Sequence, residues 1–107
     1  MSFAVYFTKG AKQDLFEIYN YVKDKGYPLN AGKLLNELKN ACNSLSEMPA
    51  RGHIPEELER VGVFDYREIH IKVYRILYQI IGSDVYIHCI LDGRRDIKEI
   101  LERRILR

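Results

Sequence analysis

The chain has 107 residues, 47% hydrophobic and 30% charged, which fits one folded domain around one core and is too short for two. Its formal net charge is only +2, so overall charge gives no argument for nucleic acid, and no low-complexity run points to disorder. The start, MSFAVYFTKGAKQDL, lacks an apolar segment behind a basic head, and nowhere do about eighteen apolar residues run together, so no signal peptide, no membrane span and a cytoplasmic location are expected.

Phe3, Val5 and Phe7 alternate with Ala4, Tyr6 and Thr8, which predicts a short opening strand with its phenylalanines on the core. Thr8 stands where a helix N-cap belongs. Ala11, Leu15, Ile18 and Val22 repeat at helical spacing, with Lys12, Asp14, Glu17 and Lys23 off the stripe, and Gly26 supplies a stop, so a helix is expected over about 9–25. Asn30 is the expected cap of a second helix, striped by Leu34, Leu38, Ala41 and Leu45, widened by Leu35 and Cys42 and ended by Pro49. Two such helices joined by a few residues form an antiparallel hairpin. The segment 49–58, with two prolines, a glycine and no apolar period, reads as an irregular connection whose length suggests a role beyond linkage.

From Phe64 to Asp96 β-favouring residues are dense, with charges set among them. A strand enters somewhere within 61–71. Tyr74 to Ile81 and Val85 to Leu91 are expected to pair across the turn Gly82-Ser83-Asp84. In the last strand Val85, Ile87, Cys89 and Leu91 take one face by period 2, and Tyr86, His88, Ile90 and Asp92 the other. Tyr74 and Tyr78 share a face with Ile76 and Ile80 and read as core. Asp96 with Glu99 three residues on resembles a capping box for a short helix striped by Ile97, Ile100, Leu101 and Ile105. Arg94, Arg95, Lys98, Arg103, Arg104 and Arg107 against Asp96, Glu99 and Glu102 leave this tail with an excess of +3. The expected order is β-α-α-β-β-β-α over 1–107, an α+β domain with a helix hairpin on a small, mostly antiparallel sheet.

Cys42 and Cys89, one on a helix and one on a core-facing strand position, are expected to be buried free thiols. Two distant cysteines and three scattered histidines give no zinc spacing, and no glycine-rich phosphate loop occurs, so neither metal nor cofactor is expected.

Five segments in this order resemble the RelE/ParE superfamily of toxins from type II toxin-antitoxin, or plasmid stabilisation, modules. They are AKQDLFEIYNYV, the set Leu38, Cys42, Leu45, Pro49 and Gly52, PEELE from Pro55, YREIHIKVYRILYQI, and ILDGRRDI. The resemblance covers almost the whole chain. The long helix hairpin and the final Gly-Arg-Asp turn resemble the ParE side, whose members are known as gyrase inhibitors. Asp92 departs from the histidine that relatives often carry before that turn.

The resemblance implies growth inhibition and a cognate antitoxin that lays an acidic, partly apolar segment across the sheet and helices. It also implies DNA gyrase, or the ribosome and its messenger RNA, as target, with a homodimer or a toxin-antitoxin hetero-oligomer as the assembly. RelE-type members are ribosome-dependent endoribonucleases that hold the scissile phosphate with basic side chains and move protons through tyrosine, histidine or glutamate. For that chemistry the candidates here are Arg67, Arg75, Glu68 and His88, with His70 and Tyr86 beside them. The absence of Tyr or His after His88 favours the inhibitor, in which case the chain is no enzyme. An inert relative that keeps only binding is the third alternative.

Arg67 and Arg75 are placed to grip phosphate or an acidic segment from one groove, or else to pair with Asp65 or Glu68 as solvated surface residues. Arg94 and Arg95 follow a glycine turn, where guanidinium groups meet partners, although Arg94 has Asp92 within reach. Strand histidines such as His70 and His88 more often serve structure, and His53 carries no signal. The stripe with Ile100 and Leu101 is either core or a docking face, and docking is the expectation.

Overall fold

The computed structural model describes residues 2–106, and Arg107 of the basic tail lies outside them. Strand β1 (Ala4–Phe7) leads through Thr8 into helix α1 (Lys9–Asp24), and α2 (Pro28–Asn43) returns along it. The Thr8 hydroxyl accepts from the Ala11 N–H at 3.2 Å and donates to the Ile87 carbonyl at 2.9 Å, so one side chain both caps α1 and ties it to the sheet. The second helix starts earlier than Asn30 suggests. Pro28 takes its first turn, where a fixed φ and a missing N–H cost nothing, and Tyr27 precedes it without a side-chain cap. Nor does α2 run to Pro49, because two short 3₁₀ turns, Ser44–Ser46 and Pro49–Arg51, follow it.

The irregular connection carries one helical turn, α3 (Glu56–Glu59), and the sheet is then completed by β2 (Arg67–Ile71), β3 (Tyr74–Ile81) and β4 (Asp84–Asp92). The spatial order is β1-β4-β3-β2, with β1 parallel to β4 and the other pairs antiparallel. Both hairpins turn on two residues whose first has a positive φ, Lys72 at 54° and Gly82 at 62°. These turns match the twist of the strands and fix the registers Ile71 opposite Tyr74 and Ile81 opposite Asp84. Helix α4 (Ile97–Arg104) is capped as expected, the Asp96 carboxylate accepting from the Glu99 N–H at 3.1 Å.

Two cores form where one was expected. Ala11, Leu15, Leu38, Cys42, Leu45, Ile69, Ile76, Tyr78, Val85, Ile87 and Ile90 fill the space between the helix hairpin and one sheet face. Leu58, Leu77, Cys89, Leu91, Ile97, Ile100 and Leu101 form a second core under α3 and α4 on the other. The strict alternation expected of β4 is therefore broken. Tyr78 pairs with Ile87 but Leu77 with Cys89, so His88 is an extra, bulged residue. Past it the faces exchange: Ile90 stays with the hairpin core, while Cys89 and Leu91 serve the second.

That second core decides the fate of the C-terminal stripe. Ile100 and Leu101 are 3% and 0% exposed, covered by their own domain rather than left as a docking face. Asp14, which the helical pattern puts off the stripe, is also buried. Its carboxylate accepts from the Ile90 N–H that the bulge frees and from Arg104, each at 2.8 Å, while Arg104 also donates to the His88 carbonyl. Both cysteines are buried free thiols, and burial raises Cys42 to about 12 and Cys89 to about 11. Among the described residues no helix is long and apolar enough to cross a membrane.

Candidate functional site

The face that bears α3 and α4 carries an ionic ring at its β2–β3 end. Glu68 lies opposite Leu77, and His70 opposite Arg75, so both hairpin strands send polar groups to this face. Arg75 donates through Nε and Nη2 to the two oxygens of Glu68 at 2.7 and 2.9 Å, and through Nη1 and Nη2 to those of Glu57 on α3 at 2.7 Å each. Glu68 is 2% exposed and Arg75 15%, so the pair is largely out of water. The Glu57 hydrogen bonds, followed by those of Glu68, raise the Arg75 guanidinium above its ordinary range against the opposing effect of burial. The hydrogen bond from Arg75 likewise holds the Glu57 carboxyl below its usual value.

Two imidazoles complete the ring. His70 Nε2 lies 2.9 Å from one Glu68 oxygen and His53 Nε2 3.3 Å from the other. His53 arrives from seventeen residues upstream in sequence numbering, 53 against 70, because the connection is bonded to the strand edge. His53 and Glu68 exchange backbone hydrogen bonds of 3.1 and 2.7 Å, the buried Tyr78 hydroxyl donates to the Pro49 carbonyl, and the Gly52 N–H donates back to that hydroxyl. A Cβ at Gly52 would overlap the Tyr78 hydroxyl and the Glu68 carbonyl, so no other residue allows so close an approach. The ring opens onto a groove of about 530 Å³ lined by His53, Glu57, Glu68, His70, Lys72 and Arg75 among others.

The expected grouping of Arg67 with Arg75 does not occur. Arg67 pairs with Tyr78, three residues from Arg75, and an odd separation along a strand places the two arginines on opposite faces. Arg67 donates to the Gly52 carbonyl at 2.8 Å and so braces the connection from the hairpin side. His88 is no part of the ring either. It bonds Gln79 at 3.1 Å, meets the Tyr66 ring edge-on, and has its pKa lowered first by burial and then by Arg104.

Arg94 grips Asp92 through Nε and Nη2 at 3.0 and 2.6 Å while remaining exposed, and that contact lowers the Asp92 pKa. Arg95 is exposed, makes no ion pair among the described residues, and borders a second hollow with Asp14, Glu17, Tyr21, Tyr74 and Asp92. Reading the residues one by one missed Glu57 and the convergence of His53 and His70. Glu68 and His70, two apart on one strand, gave half of that signal, whereas nothing in the sequence aimed His53.

The comparisons agree with this architecture. Residues 5–97 match the family described as the ParE toxin of the parDE type II toxin-antitoxin system. Toxin ParE3 of Caulobacter vibrioides is 29% identical over 97 residues, spanning 91% of this chain and 93% of that protein. Among solved structures, the chromosomal ParDE system from P. aeruginosa aligns with a TM-score of 0.69 at 18% identity, over 83% of this chain and 94% of that one. The RelBE2 toxin-antitoxin complex from Mycobacterium tuberculosis aligns at 0.63 and 20% identity, over 84% and 96%. At those identities the structures speak for the fold alone. The family match covers most of the chain, and the chain accordingly belongs to the ParE toxin family of type II toxin-antitoxin systems, within the RelE/ParE superfamily.

Proposed function

We propose that this toxin arrests growth by acting on DNA gyrase, and that a cognate antitoxin encoded beside it keeps it silent. The observation that carries the choice of target is the saturation of Arg75. All of its charge faces Glu57 and Glu68, and Arg67, which keeps its charge while donating to the Gly52 carbonyl, lies on the other sheet face from Glu68 and His70, so the ring presents no unpaired cation beside a proton donor. An RNA-cleaving site needs that cation to hold the scissile phosphate. The family's ParE side supports gyrase in its place, and the toxin-antitoxin complexes among the structural relatives support an antitoxin.

The exposed pair Arg94 and Arg95 provides the contact surface in this reading, recognising an acidic partner by charge. The Asp92 bond presets Arg94, and Arg95 is the free member. Messenger RNA cleavage is the second reading, favoured by the imidazoles beside Glu68. Induced expression of the chain separates the two. DNA damage with intact transcripts is expected, together with inhibition of purified gyrase and rescue by the neighbouring small acidic protein. Codon-positioned cuts in messenger RNA would overturn the gyrase reading.

A further inference from the structure

The groove at the β2–β3 end holds chemistry that inhibition of a protein target does not use. Side-chain ligand atoms of His53, Glu68 and His70 all lie within 4.8 Å of one another. We propose that these three residues bind a single divalent transition-metal ion of the zinc class, with the remaining coordination position open to the groove.

The geometry suits such an ion. Zinc binds nitrogen and carboxylate oxygen at about 2 Å, which puts tetrahedral ligand atoms about 3.4 Å apart. The distances from His70 and His53 to the Glu68 oxygens, 2.9 and 3.3 Å, are already close to that spacing. The imidazoles are 54% and 64% exposed, so small side-chain rotations bring both nitrogens onto one ion without disturbing a core. In the metal-free chain a hydrogen bond joins His70 to one carboxylate oxygen while His53 lies beside the other, and the ion replaces the proton of that bond.

Charge and donor type select the metal. Arg75 against Glu57 and Glu68 leaves the ring one net negative charge with neutral imidazoles, which attracts a dication. Arg75 stays in place because Glu57 holds its other edge, and there it orients Glu68 as an outer partner orients a metal ligand. Two nitrogens and one carboxylate suit Zn²⁺, Co²⁺ or Ni²⁺, whereas Mg²⁺ and Ca²⁺ require more oxygen donors. The thiols of Cys42 and Cys89 are buried and do not compete. Bound metal would fasten the connection to the sheet edge through His53.

The test is titration of the purified full chain with ZnCl₂ by calorimetry and with Co²⁺ by its visible absorption, neither of which involves gyrase or the ribosome. Saturable binding of one ion per chain is expected, with the absorption of a tetrahedral cobalt site and a zinc-dependent rise in melting temperature. Outer partners of a metal are already worth about 10- to 100-fold in affinity, so His53→Ala and His70→Ala are each expected to weaken binding by about 100-fold or more. Both variants keep the fold, as an unchanged melting temperature without metal will verify, and His88→Ala leaves the affinity unchanged. No saturable binding at millimolar Zn²⁺ would overturn the proposal. So would full-strength binding by the His53→Ala/His70→Ala double variant.

Discussion

The two faces of the sheet are built on different principles. Under the helix hairpin the contacts are almost wholly apolar, and all four strands and helices α1 and α2 contribute to them. On the opposite face a small apolar core beneath α4 adjoins an ionic ring of Glu57, Arg75, Glu68, His70 and His53, held by direction and charge. An apolar face tolerates volume-conserving exchange, whereas a buried charged network loses stability sharply when a single partner goes. The hairpin face therefore specifies the fold, and the opposite face depends on its buried pair, Arg75 and Glu68, staying together, whereas the exposed imidazoles at its rim can be removed without loss of the fold.

The largest effect should come from putting charge into the small core. Leu101→Asp introduces a carboxylate at a fully buried position without a partner and should cost about 4 kcal/mol or more, enough to keep the chain from accumulating folded. A stable, monodisperse Leu101→Asp protein with an unchanged melting temperature would mean that α4 leaves the sheet readily, and the second core would no longer count as one.

The ring sets the next effect. Arg75→Met strands Glu68 without its main partner and should destabilise by about 3 kcal/mol in urea unfolding near neutral pH. Combining Arg75→Met with Glu68→Leu should recover a large part of that loss, because the uncompensated charge disappears. Strictly additive losses would show that the ring is not a unit.

Much of the hairpin face was legible in the sequence, because its signals are local and periodic. Ala11, Leu15 and Ile18 mark a helix stripe, Tyr74, Ile76, Tyr78 and Ile80 a strand face, and Thr8 the cap of α1. The other face depends on events that leave no periodic trace. The bulge at His88 adds one residue to a strand that still looks regular, yet it moves Ile90, Cys89 and Leu91 to faces that alternation does not give them. The opposition of Arg67 and Arg75 hangs on a turn at Lys72, a residue type that seldom adopts a positive φ. The arrival of His53 depends on Gly52, the Tyr78 hydroxyl and an irregular connection, which no spacing rule describes.

The smallest effect separates the faces by pH. Burial lowers the His88 pKa from its ordinary 6.5, so between that value and its folded value the unfolded chain binds the extra proton. Its contribution is full above about 6.5 and is lost as pH falls through the folded pKa. Melting curves from pH 7 downwards should show His88→Gln with a flatter dependence than the parent in that window. Parallel curves would remove His88 from the account.

The contact of Arg104 with Asp14 closes a loop of ninety positions, nearly the whole chain. Contacts that distant in sequence form late, since the entropy of closing the loop must be met before they give anything back. Gly10 leaves the space through which that guanidinium reaches, and a Cβ there would strike its Nη2. The expected order of folding is that the helix hairpin and the β3–β4 hairpin assemble first from near neighbours, and the Arg104–Asp14 contact closes last. Mutations at Arg104 or Asp14 should therefore speed unfolding far more than they slow folding.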